Sequence, residues 1–68
     1  MTVATQIRQA IANVESVAAN MKNFALQTQD KEAQQMFQQL AQTFDGALKT
    51  LQDRQKYIEQ QEPQYKQQ

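Results

Sequence analysis

Apolar residues recur at alternating steps of four and three along residues 33–58 of this 68-residue chain. The series is Ala33, Phe37, Leu40, Phe44, Ala47, Leu51 and Ile58, with Arg54 as its one interruption. This spacing places the apolar side chains on one stripe of an α-helix, because side chains three and four residues apart share a face. Such a stripe must be covered by other apolar surface, so it constrains the fold more than any other feature.

The first half of the chain carries a matching series. It consists of Val3, Ile7, Ala10, Val14, Val17, Met21 and Phe24, and a flanking row widens it with Ala4, Ile11, Ala18 and Ala25. A stripe of about three positions in seven is wide enough to face more than one helix. No Gly or Pro interrupts residues 3–27, and Thr2 can accept a hydrogen bond from a free amide of the first turn. We predict a helix over residues 3–27 with Thr2 as its N-cap.

A break between two helices is expected at residues 27–30, although this segment holds no Gly or Pro. Asp30 suits an N-cap, Glu32 would favour the positive end of the next helix, and Thr28 is an alternative cap. Continuing the first series would place Thr28 and Lys31 on the apolar stripe, whereas a new series starts at Ala33. The second helix is predicted over residues 31–61, ended by Pro63. One unbroken helix remains an alternative.

Two helices joined by about three residues must lie antiparallel. The stripes also include Ile11, Met36, Ala41 and Leu48, which a lone hairpin would leave exposed. A chain of this size without Cys has no disulfide to stabilise it, so association is the expected remedy. We predict an all-α antiparallel two-helix hairpin that assembles as a four-helix-bundle homodimer, with a higher oligomer as the alternative. The hairpin domain would span residues 1–62 and a polar tail residues 63–68. The predicted oligomer core is Ile7, Ile11, Val14, Val17, Met21, Phe24, Phe37, Leu40, Phe44, Leu48, Leu51 and Ile58.

Composition argues against most kinds of chemistry. Seven basic and seven acidic residues cancel, so no general field attracts nucleic acid. Without His or Cys there is no ordinary nucleophile–base pair or thiolate metal site, and one Gly cannot form a phosphate-binding loop. We expect no enzymatic activity, no cofactor and no metal. Neither a signal peptide nor a membrane span is evident, so a soluble, cytoplasmic protein is expected.

Three surface features of the second helix carry separate expectations. Lys49 lies four residues from both Asp45 and Asp53 and could pair with either. Gly46 would mark a bend, a close contact with another chain, or a tolerated surface glycine. Arg54 interrupts the apolar series near the open end of the hairpin, where its aliphatic stem could lie over Val3 while its charged group reaches water or a carboxylate.

Several segments resemble a family of short proteins of unknown function from endospore-forming Firmicutes. They are Met1-Thr2-Val3-Ala4-Thr5-Gln6, Phe24-Ala25-Leu26-Gln27-Thr28-Gln29 with Lys31-Glu32-Ala33, and Glu62-Pro63-Gln64-Tyr65-Lys66. The likeness covers nearly the whole chain, and the last segment is its most specific part. Genes of that family often lie beside those for the stage V sporulation proteins that move dipicolinic acid into the spore core. The resemblance implies a spore-associated accessory protein, located in the cytoplasm or the forespore, and assigns no catalytic residues.

Two functional interpretations follow. The first is a structural or interaction module that associates with itself and docks on a partner, such as a spore membrane protein, through Tyr57, Pro63, Tyr65 and Lys66. The alternative is a binder of lipid surfaces or small apolar ligands that exposes its apolar stripe. Such helices usually carry excess Lys and Arg on the polar face, which this chain lacks. Flotation with anionic liposomes separates the two.

Overall fold

Two long helices make up the part of the chain that the structure describes. The computed structural model covers the backbone of residues 2–61 and the side chains of residues 2–60. Helix α1 spans Val3–Gln27 and helix α2 spans Lys31–Gln61, and no strand occurs within residues 2–61. The helices pack against each other as a hairpin. The predicted helical hairpin is confirmed and the unbroken helix is wrong; the predicted tail, residues 63–68, lies outside the described residues.

Helix α1 begins where the sequence predicts. Thr2 has extended backbone angles, φ −94° and ψ 166°, and its Oγ1 accepts a hydrogen bond from the Thr5 amide at 3.2 Å. This bond satisfies one of the first-turn amides that have no partner within the helix. The helix ends as the Thr28 amide donates to the Phe24 carbonyl at 3.0 Å, and Thr28 returns to an extended conformation.

The turn uses both of the predicted capping residues. The Asp30 carboxylate accepts from the Glu32 amide at 3.4 Å, which makes Asp30 the cap of α2. The Thr28 hydroxyl accepts from the Asp30 amide at 3.4 Å, and the Thr28 carbonyl accepts from the Gln34 side chain at 2.9 Å. Side chains thus close a three-residue turn that needs neither Gly nor Pro.

The hairpin is elongated. Its principal extents are 49 × 17 × 11 Å and its radius of gyration is 15.3 Å, whereas a compact domain of 68 residues would have about 11 Å. Two helices side by side form a single layer, so neither helix is covered on more than one side. The consequence is a small interior.

That interior is lined by alanine. The fully buried apolar residues of the described segment are Ala4, Ala18, Ala25 and Ala41, each at most 8% exposed. Larger side chains beside them are half-buried; these are Ile7, Ile11, Val14, Met21, Phe37, Phe44, Leu48, Leu51 and Ile58. We call these thirteen residues the hairpin contact. The hairpin contact is centred on the row of α1 that holds Ala4, Ala18 and Ala25. A methyl side chain lets the two helices approach closely, and the close approach encloses that methyl group.

Ala18→Leu tests the alanine-lined contact. Ala18 is 3% exposed, so three extra carbon atoms must displace α2, and we expect a loss of about 1–3 kcal/mol in the free energy of unfolding. Ala19→Leu is the matched control, since Ala19 is exposed on the same helix and should change stability by less than about 0.5 kcal/mol. Equal thermal denaturation of the two variants would contradict the contact described here.

Gly46 lies on the outer side of α2, and the helix continues through it. A Cβ built on Gly46 would meet nothing within 4 Å. Gly46→Ala should therefore raise the free energy of unfolding by about 1 kcal/mol per chain, because alanine is the better helix former. Chemical denaturation measures this, with Gln42→Gly, at an exposed position of α2 outside the apolar face, as the control of opposite sign. A loss of stability in Gly46→Ala would instead indicate a close contact with another chain at this position.

Candidate interaction surface

One side of the hairpin carries apolar residues that the hairpin contact leaves exposed or only half-buried. We call it the apolar face. It consists of Val3, Ala10, Val17 and Phe24 from α1 with Ala33, Met36, Leu40 and Ala47 from α2. Val3 is 46% exposed, Phe24 42%, Leu40 37% and Met36 53%. Contiguous apolar exposure of this kind marks an association surface.

The opposite side is polar. Lys22 Nζ lies 3.3 Å from Asp45 Oδ2, which joins the two helices across this side. Both side chains are about half exposed, so the pair adds little to stability. Within the described residues Lys49 pairs with neither Asp45 nor Asp53, contrary to the predicted ladder. Asp45 turns towards α1 instead, because the close helix approach brings the Lys22 ammonium within reach.

The apolar face is bulkiest beside the turn. The rings of Phe24 and Phe37 meet edge to face, with centroids 5.4 Å apart, a favourable geometry for aromatic pairs. Phe24, Gln27, Thr28 and Phe37 border a shallow hollow there. Next to it, Met36 and Ala33 line a second hollow with the acidic side chains of the turn. This end of the hairpin presents large apolar groups beside negative charge.

The open end, opposite the turn, presents an arginine and a tyrosine. The Arg54 guanidinium carbon lies 5.4 Å from the centroid of the Tyr57 ring, within the range of a cation–π contact. Tyr57 remains 53% exposed. The expected contact between the Arg54 stem and Val3 stays a prediction; the charged group lies against the ring of Tyr57, three residues further along the same helix. The two side chains form a cationic aromatic pair on α2.

The described segment offers little else for chemistry. No group of three His, Cys, Asp or Glu side chains that could hold a metal ion occurs among its residues. Within the same segment, neither helix is long and apolar enough to cross a membrane. Leu26, 83% exposed, borders a hollow on the polar side together with polar side chains and the buried Ala25 and Ala41. A single exposed Leu needs no functional explanation.

The structure divides the predicted oligomer core between two surfaces. Nine of its twelve residues lie in the hairpin contact: Ile7, Ile11, Val14, Met21, Phe37, Phe44, Leu48, Leu51 and Ile58. The other three, Val17, Phe24 and Leu40, lie on the apolar face. Val3 and Met36 are not in the predicted core, although Met36 was expected to be exposed in a lone hairpin. Met36 is exposed as expected, whereas Ala41, expected to be exposed with it, is buried, and Ile11 and Leu48 are half-buried. Of the predicted docking residues, the structure describes Tyr57, while Pro63, Tyr65 and Lys66 lie outside the described residues.

Comparison with known proteins places the chain in a family. Residues 7–54 match the family described as Protein of unknown function (DUF1657). Since the match covers most of the chain, the protein belongs to the DUF1657 family. The matched region includes most of both helices and the turn between them. It leaves out the segment Glu62-Pro63-Gln64-Tyr65-Lys66. No curated protein and no solved structure shows a significant match.

Proposed function

We propose that this DUF1657 protein is a non-catalytic interaction module that works as a homodimer. Two hairpins pack through their apolar faces into a four-helix bundle, and an end of the bundle docks on a partner protein. The observation that carries the proposal is the contrast between the two surfaces of the hairpin. Only alanines are fully buried among the described residues, while Val3, Phe24, Met36 and Leu40 face solvent.

The energetics of a lone hairpin support self-association. Ordering each residue costs about 1–2 kcal/mol of conformational entropy, and burial of large apolar side chains is the main term that offsets this cost. Among the described residues no large side chain is fully buried. Covering the apolar face with a second copy would bury Phe24, Met36 and Leu40, which the hairpin leaves exposed.

The shape of the hairpin points the same way. Its extents are 49 × 17 × 11 Å, so one side of each helix is left uncovered in a single layer. A stable interface of standard size buries roughly 800 Å² on each partner. Because the chain has no net charge, two copies can approach without overall repulsion.

Sedimentation equilibrium at micromolar concentration tests the homodimer, and the expected mass is twice that of the chain. Leu40→Glu should abolish the dimer and reduce helix content measured by circular dichroism, since it places a charge on the apolar face. Gln38→Glu, which adds the same charge two residues away on the polar side, is the matched control. A folded wild-type monomer, or a dimer that Leu40→Glu leaves intact, would contradict the proposal.

The docking role rests on the bundle end that carries Tyr57. An exposed tyrosine beside an arginine combines an apolar ring with polar groups, as docking residues often do. Pro63, Tyr65 and Lys66 extend the same end of the chain in sequence. The resemblance to proteins of endospore formers favours a spore membrane protein as partner and a sporulation-linked role in the cytoplasm or forespore.

Affinity capture from the membrane fraction of sporulating cells tests the docking role. Tyr57→Ala and Tyr65→Ala should each deplete a membrane protein that the wild-type chain recovers, while Gln52→Ala on the polar side should not. Sedimentation of the same variants shows whether the dimer is preserved. Recovery of an unchanged set of proteins by both tyrosine variants would remove the docking claim and leave the homodimer standing.

A further inference from the structure

We propose that the two hairpins of the dimer pack head to tail, with the turn of each over the open end of the other. This inference rests on the proposed homodimer and specifies which residues meet. Two-fold symmetry allows the apolar face to meet its copy in two ways, with the turns at opposite ends or at the same end of the bundle. In the first, α2 lies along the partner's α2; in the second, α2 lies along the partner's α1.

The sizes of the side chains favour the head-to-tail arrangement. Each helix carries a row of residues seven apart that runs along the apolar face. The rows are Val3, Ala10, Val17 and Phe24 in α1, and Ala33, Leu40, Ala47 and Arg54 in α2. In head-to-tail packing each row runs antiparallel to the same row of the partner chain. Leu40 then comes level with the partner's Ala47. Val17 likewise comes level with the partner's Ala10, so large side chains meet small ones at the middle of the bundle, as dense packing requires. Towards the ends, Phe24 comes level with the partner's Val3.

Turns at the same end would pair the rows poorly. The α1 row would then lie along the partner's α2 row, which sets Ala10 opposite the partner's Ala47. Two methyl groups facing each other near the middle of the bundle leave a void, and voids destabilise a core in proportion to their volume. One step along, Val17 would meet the partner's Leu40, so that two large side chains crowd where a small one is needed.

Charge favours the same choice, because Arg54 is the one charged member of the two rows. With turns at the same end, Arg54 would lie over the start of the partner's α1. That helix has no acidic residue in its first turn, carries Arg8 one turn later, and has the positive end of its dipole there. Head to tail, Arg54 lies over the start of the partner's α2, whose first turn holds Glu32 and whose cap is Asp30.

The acidic side chains are positioned to meet this arginine. Asp30 and Glu32 share one shallow hollow with Ala33 and Met36, so the carboxylates border the apolar face at its turn end. At the open end, Tyr57 holds the Arg54 guanidinium 5.4 Å from its ring. In the head-to-tail dimer this cationic aromatic pair covers the partner's Ala33 and Met36 and reaches the carboxylates of the partner's turn. The two-fold axis repeats this contact at the other end of the bundle.

Distances between spin labels test the arrangement, and the chain has no Cys to interfere. Thr43→Cys places a label near the two-fold axis, and Lys56→Cys, at an outward position of α2, places one level with the partner's Lys31. At a rise of 1.5 Å per residue, the Lys56→Cys labels should lie about 40 Å apart, and the Thr43→Cys labels within about 20 Å. Similar short separations for both variants would establish turns at the same end and overturn the proposal. A chain-sized mass without dipolar coupling would instead refute the homodimer itself.

A charge exchange tests the residues that meet. Arg54→Glu should raise the dissociation constant of the dimer about tenfold across the two symmetric contacts, and adding Glu32→Arg to the same chain should restore it. Lys56→Glu, the same change of charge on an outward position of α2, should leave the constant unchanged. Failure of Glu32→Arg to restore the Arg54→Glu dimer would overturn the assigned contact, whatever the mass of the wild-type particle.

Discussion

The close approach of two helices along a line of alanines is the contact on which the rest of this structure depends. Ala4, Ala18, Ala25 and Ala41 are enclosed because nothing larger fits between the helices. A methyl group contributes little apolar area, so this contact aligns the helices more than it stabilises them. The large side chains are pushed to either edge of the contact, where a single hairpin covers only part of each.

The two edges of the contact have opposite character. On one edge Lys22 and Asp45 join the helices through an exposed ion pair, and the side chains beside them are mostly polar and exposed. On the other edge Phe24 packs on Phe37, and the apolar surface continues through Leu40 and Met36. This division gives the hairpin one side that favours solvent and one that favours protein. The proposed dimer follows from that difference in hydration.

Membership of the DUF1657 family identifies relatives without identifying chemistry. The described residues hold no cluster of candidate metal ligands. The interaction role proposed above is supported instead by packing, shape and the lack of net charge. In the proposed head-to-tail dimer the Arg54–Tyr57 pair takes part in the interface. The proposed self-association and partner docking would then both use Tyr57.

The sequence by itself determined the two helices, their turn and their antiparallel packing. The steps of three and four residues, the hydroxyl of Thr2 and the carboxylate of Asp30 act within a few residues, so local rules are sufficient. Tertiary structure alone decided which apolar row lies at the centre of the hairpin. Two adjacent rows fit the same helical period, and the choice depends on how closely the helix axes approach, a property of both helices together. For the same reason Val3 and Phe24 lie on the exposed face, Ala41 is buried, and Asp45 pairs with Lys22 rather than with Lys49.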